Sequence, residues 1–253
     1  MSVSDLVWFP MAVLLGSYVQ TVTGFSFGLV VMAVLTVTDT APVAFSAVVI
    51  SALALINLGA ALRGRYSLIE RSIFLQTAAA VVPGVGLGMW LLYWLSQTSM
   101  RVLEGILGVV VITGALVAVI RPQRSHEPGG WWTHLGTGAA AGLLSGAYAV
   151  SAPPLVFYLY RLKIPFEVAK ATIMSLFLVT TSTRTVTAVV AGQFDAMVAG
   201  VVLMSAPFVV IGTIAGRRFP PAVSEERLLR VVFFLLVVMG ATLCIGSVAG
   251  TVS

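Results

Sequence analysis

The feature that most constrains this chain is a series of long apolar stretches with almost no charged residues inside them. The 253 residues include 14 Lys and Arg and 9 Asp and Glu, so charged residues make up 9% of the chain, against about 25% in soluble domains. So few charges cannot cover the surface of a soluble protein. The composition excludes a soluble enzyme, a nucleic-acid-binding domain and a disordered chain. It predicts an all-α polytopic membrane protein.

Six stretches have the length of a single membrane crossing, which takes about 20 residues. They are 40–62, 72–95, 102–120, 168–190, 197–215 and 228–249. Two others, 6–38 and 131–160, are longer and are interrupted midway, the first by Gly24 and Gly28 and the second by Pro153. Glycine and proline break helices. We therefore predict two broken, hairpin-like membrane segments.

The two halves of the chain resemble each other on either side of a polar linker at 121–130. The segment Gly24–Gly28 aligns with Ala149–Pro153, and similar matches recur at offsets of 124 to 126 residues. This spacing predicts an internal duplication inside one integral membrane domain, with repeats 1–125 and 126–253. Each repeat would hold one broken segment and three spans.

Equivalent loops of the two repeats differ in charge, which predicts that they face opposite sides of the membrane. Loop 63–71 is basic, whereas its equivalent near 191–196 holds only Asp195. If both broken segments enter and return, every Lys and Arg except Arg101 and Arg184 falls on one side. Since basic loops stay in the cytoplasm, we predict inverted repeats with both termini outside.

Arg184 is the main candidate for binding a substrate. It lies in a polar island inside a predicted span, where a charge usually faces a cavity or a partner. No carboxylate occupies a span centre to neutralise it. A guanidinium would suit the oxygens of a sulfonate, sulfite or carboxylate. The alternative is that Arg184 reaches the outer interface or ties helices together through backbone carbonyls.

The other candidates are polar and small residues of the breaks, together with one amide inside a span. A half-helix that begins at a break offers free N–H groups and a positive dipole end to an anion. Asn57 occupies roughly the position equivalent to Arg184. The alternatives are close helix packing for the breaks and an interhelical hydrogen bond for Asn57. The candidate residues are Gln20, Thr21, Thr23, Gly24, Ser26, Asn57, Ser145, Tyr148, Ser151 and Pro153.

Motifs for catalysis and metal binding are weak or missing. Gly24–Gly28 fits the pattern G-x-S-x-G, which requires a preceding strand and a histidine partner, but both histidines lie in or beside the linker. Cys244 has no metal-ligand spacing. The sequence predicts no enzyme, no metal and no cofactor. Asp39, Glu104 and Asp195 are candidates for proton coupling, near span ends.

The two breaks and the two-half layout resemble the sulfite exporter TauE/SafE family of bacterial membrane permeases. The resemblance rests on Val19–Gly28 and Gly142–Leu155 and covers nearly the whole chain. In the second break, Ala149 and Ala152 stand where family members often carry glycine. The resemblance implies a secondary transporter that exports a small sulfur oxyanion or organosulfonate, of the sulfite or sulfoacetate type, across the bacterial inner membrane.

Several alternatives stay open at this point. They are an anion channel, a carrier of another small carboxylate, an intramembrane enzyme such as a serine protease, and a partner protein that transports nothing. The expected partners are a small anion and the lipid bilayer, without nucleic acid. A homodimer is left open.

Overall fold

The structure is a computed structural model that describes residues 3–38, 40–98, 100–119 and 129–219, together with positions 234, 237 and 241. The described chain is helical, without strands, and a short 3₁₀ turn at Tyr66–Leu68 joins two of its helices. The helices are α1 (Val3–Thr23), α2 (Phe27–Val37), α3 (Val43–Leu62), α4 (Arg71–Thr98), α5 (Met100–Val119), α6 (Trp131–Tyr148), α7 (Ala152–Leu159), α8 (Phe166–Val190) and α9 (Ala196–Arg218).

Four described helices are long and apolar enough to cross a membrane, namely α3, α4, α8 and α9. The predicted all-α, multi-pass fold is therefore confirmed. These helices match the predicted spans within a few residues, and α5 matches the span at 102–120. The predicted span 228–249 and most of the linker 121–130 lie outside the described residues.

Both long apolar stretches are broken where the sequence predicts. Gly24 follows α1 and Ala149 follows α6, and both have positive φ, 87° and 56°. This left-handed conformation commonly ends a helix. It is disfavoured for alanine, because the Cβ crowds the next carbonyl. The helices after the breaks, α2 and α7, are only 11 and 8 residues long, or about 16 and 12 Å, too short to cross the bilayer.

The orientation of α3 relative to α8 shows that the second broken segment turns back. Arg65, just after α3, forms an ion pair of 3.2 Å with Glu167 in the first turn of α8. Near the start of α3 and the end of α8, the Nε of Arg184 donates to the carbonyl of Ala47 at 3.2 Å. The two helices are therefore antiparallel. If residues 131–160 crossed the membrane once, α3 and α8 would be parallel.

The most extensive helix contacts join one half of the chain to the other. α4 packs along α6, and α1 packs along α9, each pair running parallel. Small residues allow this approach: a Cβ placed on Gly142 of α6 would lie 3.0 Å from the Cα of Gly84 in α4. On α9, a Cβ on Gly212 would lie 2.9 Å from the Cβ of Ser17. The halves are interlocked and do not form separate domains.

Basic residues collect at one end of the helix bundle. This end holds the loop after α3, the end of α7, the start of α8 and the end of α9, where Arg217 donates to the Ala60 carbonyl at 2.7 Å. At the opposite end, Asp195 caps α9 by accepting from the Val198 N–H at 2.8 Å. The residues of the basic end are Arg63, Arg65, Arg71, Arg161, Lys163, Lys170, Arg217 and Arg218.

Candidate functional site

The two breaks meet at a small cavity that is also bordered by α1, α3 and α8. Its polar lining comes from Gln20, Ser26, Ser151 and Thr181, and its apolar lining includes Leu29, Ala54, Leu58 and Phe177. The volume that the centres of water-sized groups can occupy inside the cavity is about 30 Å³. This is room for roughly two or three water molecules. A cavity of this size and lining suits the polar head of a small solute.

Gln20 connects α1 to the start of α2 and offers a hydrogen-bond donor at the cavity. Its side-chain Oε1 accepts from the N–H of Phe27, the first residue of α2, at 3.1 Å. Its Nε2 is buried and has no hydrogen-bond partner among the described residues. Because an unpaired buried donor costs about 1–3 kcal/mol, this amide is suited to a ligand oxygen.

Ser26 stands at the N-terminus of α2 and offers a second donor. Its φ is 90°, and its side chain does not cap the helix. The hydroxyl is buried, and no described residue bonds to it. The next amides, of Gly28 and Leu29, belong to the first turn of α2, where N–H groups have no partner within the helix. These neutral donors and the positive dipole end make this side of the cavity favourable for an anion.

The second break contributes fewer donors than the sequence predicts. The helix α7 begins with Ala152, Pro153 and Pro154, and proline has no N–H. Positions 153 and 154 of α7 therefore cannot supply the free N–H groups that are expected at the start of a half-helix. Ser151 contacts α8 through its hydroxyl, 3.3 Å from that of Thr180.

Arg184 is fully buried and ties three helices together without lining the cavity. Besides the bond to Ala47 of α3, its Nη1 donates to the carbonyl of Ser145 in α6 at 3.0 Å. Its Nη2 lacks a partner within the described part of the chain. The structure thus shows the helix-tying contacts of the alternative hypothesis, one helical turn away from Thr181 of the cavity wall.

Asn57 also joins helices, because its Nδ2 donates to Thr213 of α9 at 2.9 Å. Its Oδ1 is buried without a partner among the described residues. Thr21 donates to its own helix, at the Ser17 carbonyl, 2.8 Å away. The predicted residues that surround the breaks without lining the cavity are Thr21, Gly24, Asn57, Ser145, Tyr148, Pro153 and Arg184. The Thr23 side chain lies outside the described residues.

The acidic residues that the sequence offers for proton coupling or metal binding are described only in part. No group of three His, Cys, Asp or Glu that could hold a metal occurs among the described residues. Of the three candidates for proton coupling, Asp195 is exposed at the cap of α9. The side chains of Asp39 and Glu104 are not among those that the structure describes.

Sequence reasoning missed several residues of the cavity wall. Thr181 belongs to the polar island around Arg184, three residues earlier on α8, and this spacing places both on one helix face. Ala54, Leu58 and Phe177 give no signal, because they are apolar residues in apolar spans. The two breaks also touch each other: a Cβ on Gly28 would meet the carbonyl oxygen of Ala149.

Comparison with known proteins gives two matches to the same group of membrane proteins. A protein-family model described as "Sulfite exporter TauE/SafE" matches residues 9–243. The chain is 38% identical over 238 residues to a protein of Cupriavidus necator named "Probable sulfite/organosulfonate exporter TauE", and the alignment covers 94% of this chain and 93% of that protein. No solved structure matches the chain.

Proposed function

The chain belongs to the sulfite exporter TauE/SafE family, and on that basis we propose that it exports a sulfur oxyanion or a small organosulfonate through the cavity between the breaks. The predicted family resemblance is confirmed by the comparisons. The observation that carries the site is a pair of buried donors, the Gln20 amide and the Ser26 hydroxyl, which have no partners among the described residues. An oxyanion would satisfy both at the positive end of α2.

The proposed mechanism is alternating access by two inverted repeats, 1–125 and 126–253. The antiparallel orientation of α3 and α8 supports the inversion. So does the shared left-handed backbone at Gly24 and Ala149, which are aligned in the two repeats. Because the breaks contact each other at the cavity, a rocking motion of one set of helices would open it to either side in turn.

For location, we propose the bacterial inner membrane, with the basic end of the bundle in the cytoplasm and both termini outside. The support is the positive-inside rule together with the clustering of basic residues at one end. Independently of this orientation, the membrane potential alone favours export of an anion. A negative interior drives anions outward by about 2.3 kcal/mol per charge per 100 mV.

Cysteine accessibility tests this orientation. In a Cys244→Ser background, Ser67→Cys lies in an exposed loop at the basic end, and Gln193→Cys lies in an exposed loop at the opposite end. A membrane-impermeant maleimide is expected to label Gln193→Cys in intact spheroplasts and Ser67→Cys only after lysis. The reverse pattern would reject the proposed orientation.

Substitution of Gln20 tests the site. Gln20→Glu keeps the oxygen that accepts from Phe27 but replaces the free donor with a carboxylate oxygen that repels anions. We expect sulfite or methanesulfonate efflux from proteoliposomes to fall roughly ten- to hundredfold, since a hydrogen bond to a charged group contributes about 1.5–3 kcal/mol. Gln20→Met removes both the Nε2 donor and the Oε1 that accepts from the Phe27 N–H, and its efflux should fall by a similar factor.

The matched control is Gln193→Glu, the same change at an exposed glutamine, which should transport like the wild type. Efflux from Gln20→Glu at the wild-type rate would remove Gln20 from the binding site. Large anion currents in planar bilayers, far above carrier turnover, would instead favour the anion channel.

A further inference from the structure

We propose that the transported species carries a single negative charge, so that hydrogensulfite and monoanionic sulfonates pass while sulfate, fully deprotonated sulfite and the dianion sulfoacetate are rejected. This inference rests on the proposed function and refines the substrate class of the same cavity. It follows from the balance of charges around the breaks.

The interior of the bundle carries one buried positive charge. Arg184 is the only Lys or Arg that is buried among the described side chains. The described carboxylates lie at the ends of the bundle: Glu167 is paired with Arg65, Asp195 caps α9, and Glu70 precedes α4. From the sequence, no span centre holds an acidic residue. The guanidinium therefore has no counter-ion among the described residues.

This charge lies close to the cavity. Arg184 is one helical turn from Thr181, and its Nη1 bonds to Ser145, one turn before Ala149. Both Thr181 and Ala149 line the cavity. Among the described residues, Lys170 is a second cation near the breaks, with its side chain against Gly24. It is partly exposed at the basic end, where solvent and salt screen its charge.

A monoanion in the cavity would neutralise the buried guanidinium, so that the loaded site has no net charge. A dianion would leave one excess negative charge in a region of low dielectric, which is strongly unfavourable. The cavity offers no compensation, since its polar groups are neutral amides and hydroxyls. Its apolar wall, which includes Leu58 and Phe177, accepts the short alkyl group of a sulfonate.

The test compares anions of fixed charge in proteoliposomes. Methanesulfonate carries one charge and sulfate carries two throughout the neutral pH range. Efflux of methanesulfonate is expected to be at least tenfold faster than efflux of sulfate. Sulfite efflux, corrected for leakage from protein-free vesicles, should rise as the pH falls through neutrality, in proportion to the hydrogensulfite fraction. No residue that lines the cavity titrates in this range, so the pH dependence reports the substrate.

The charge moved per anion provides an independent readout. With a potassium diffusion potential, a tenfold methanesulfonate or sulfite gradient should be balanced by ~59 mV, the value for one charge, and not by ~30 mV, the value for two. This inference would be overturned if sulfate efflux were within threefold of methanesulfonate efflux, or if a membrane potential of about 30 mV balanced a tenfold sulfite gradient. The proposed function would still stand. Absence of protein-dependent flux for every anion would overturn the proposed function itself.

Discussion

Arg184→Met is expected to abolish most anion transport while leaving the unliganded protein as stable as the wild type, or more stable. The wild-type guanidinium is fully buried, has no counter-ion in the part of the chain that the structure describes, and bonds to two backbone carbonyls. Burying an unpaired charge costs several kcal/mol, and replacing buried ionic groups with apolar ones is often neutral or stabilising. Transport should fall at least about tenfold, because the anion loses the charge that balances it.

Two measurements on detergent-purified protein separate these effects. Thermal unfolding without anion should give an equal or higher midpoint for Arg184→Met. Addition of methanesulfonate at one hundred times its Kd should stabilise the wild type by about 2.7 kcal/mol and the variant far less. Arg184→Lys is the control for charge, because it keeps the cation but loses the planar fork. Efflux from Arg184→Met at the wild-type rate would assign Arg184 a purely structural role.

Gly142→Ala is expected to destabilise the protein severely, because α6 lies against the backbone of α4 at this point. The added Cβ would meet the Val81 carbonyl oxygen and would lie 3.0 Å from both the Cα of Gly84 and the nitrogen of Val85. These are backbone atoms, so relief requires that two helices separate. Overpacking of this kind costs about 1–3 kcal/mol and occasionally more.

Gly136→Ala provides the matched control on the same helix. A Cβ at Gly136 meets nothing within 4 Å, and alanine raises helix propensity by up to about 1 kcal/mol. We expect a lower yield of monodisperse protein and a lower unfolding temperature for Gly142→Ala, and unchanged or higher values for Gly136→Ala. Equal behaviour of the two variants would contradict the close crossing of α4 and α6.

The architecture could be predicted because its signals are local. Long apolar stretches fix the spans, and Gly24 and Pro153 mark the breaks within a few residues. The distribution of basic residues predicted that the broken segments return, and the antiparallel α3 and α8 agree with this. These features depend on the free energy of transferring a segment from water into the bilayer and on local backbone conformation. A few neighbouring residues determine both.

The site was less predictable, because it depends on where distant segments meet. Gln20, Ser26 and Ser151 were predicted and do line the cavity. Arg184 was predicted to bind the substrate, but it does not line the cavity, because the position of its guanidinium depends on which carbonyls the fold brings within reach of a long side chain. Leu58 and Phe177 could not be found at all, since nothing in an apolar span distinguishes a residue that faces a cavity from one that faces lipid.

The pairing of α1 with α9 also bears on how the protein is made. α1 is synthesised early, whereas the glycines it packs against, Gly212 and Gly216, are about 195 residues downstream of Ser17. At 5–20 residues per second, roughly 10–40 s pass before that surface emerges from the ribosome. During this interval Gln20 and Asn57 have neither their final cavity nor Thr213 as a partner. Early insertion must therefore depend on the membrane insertion machinery or on provisional helix contacts that shield these amides from lipid.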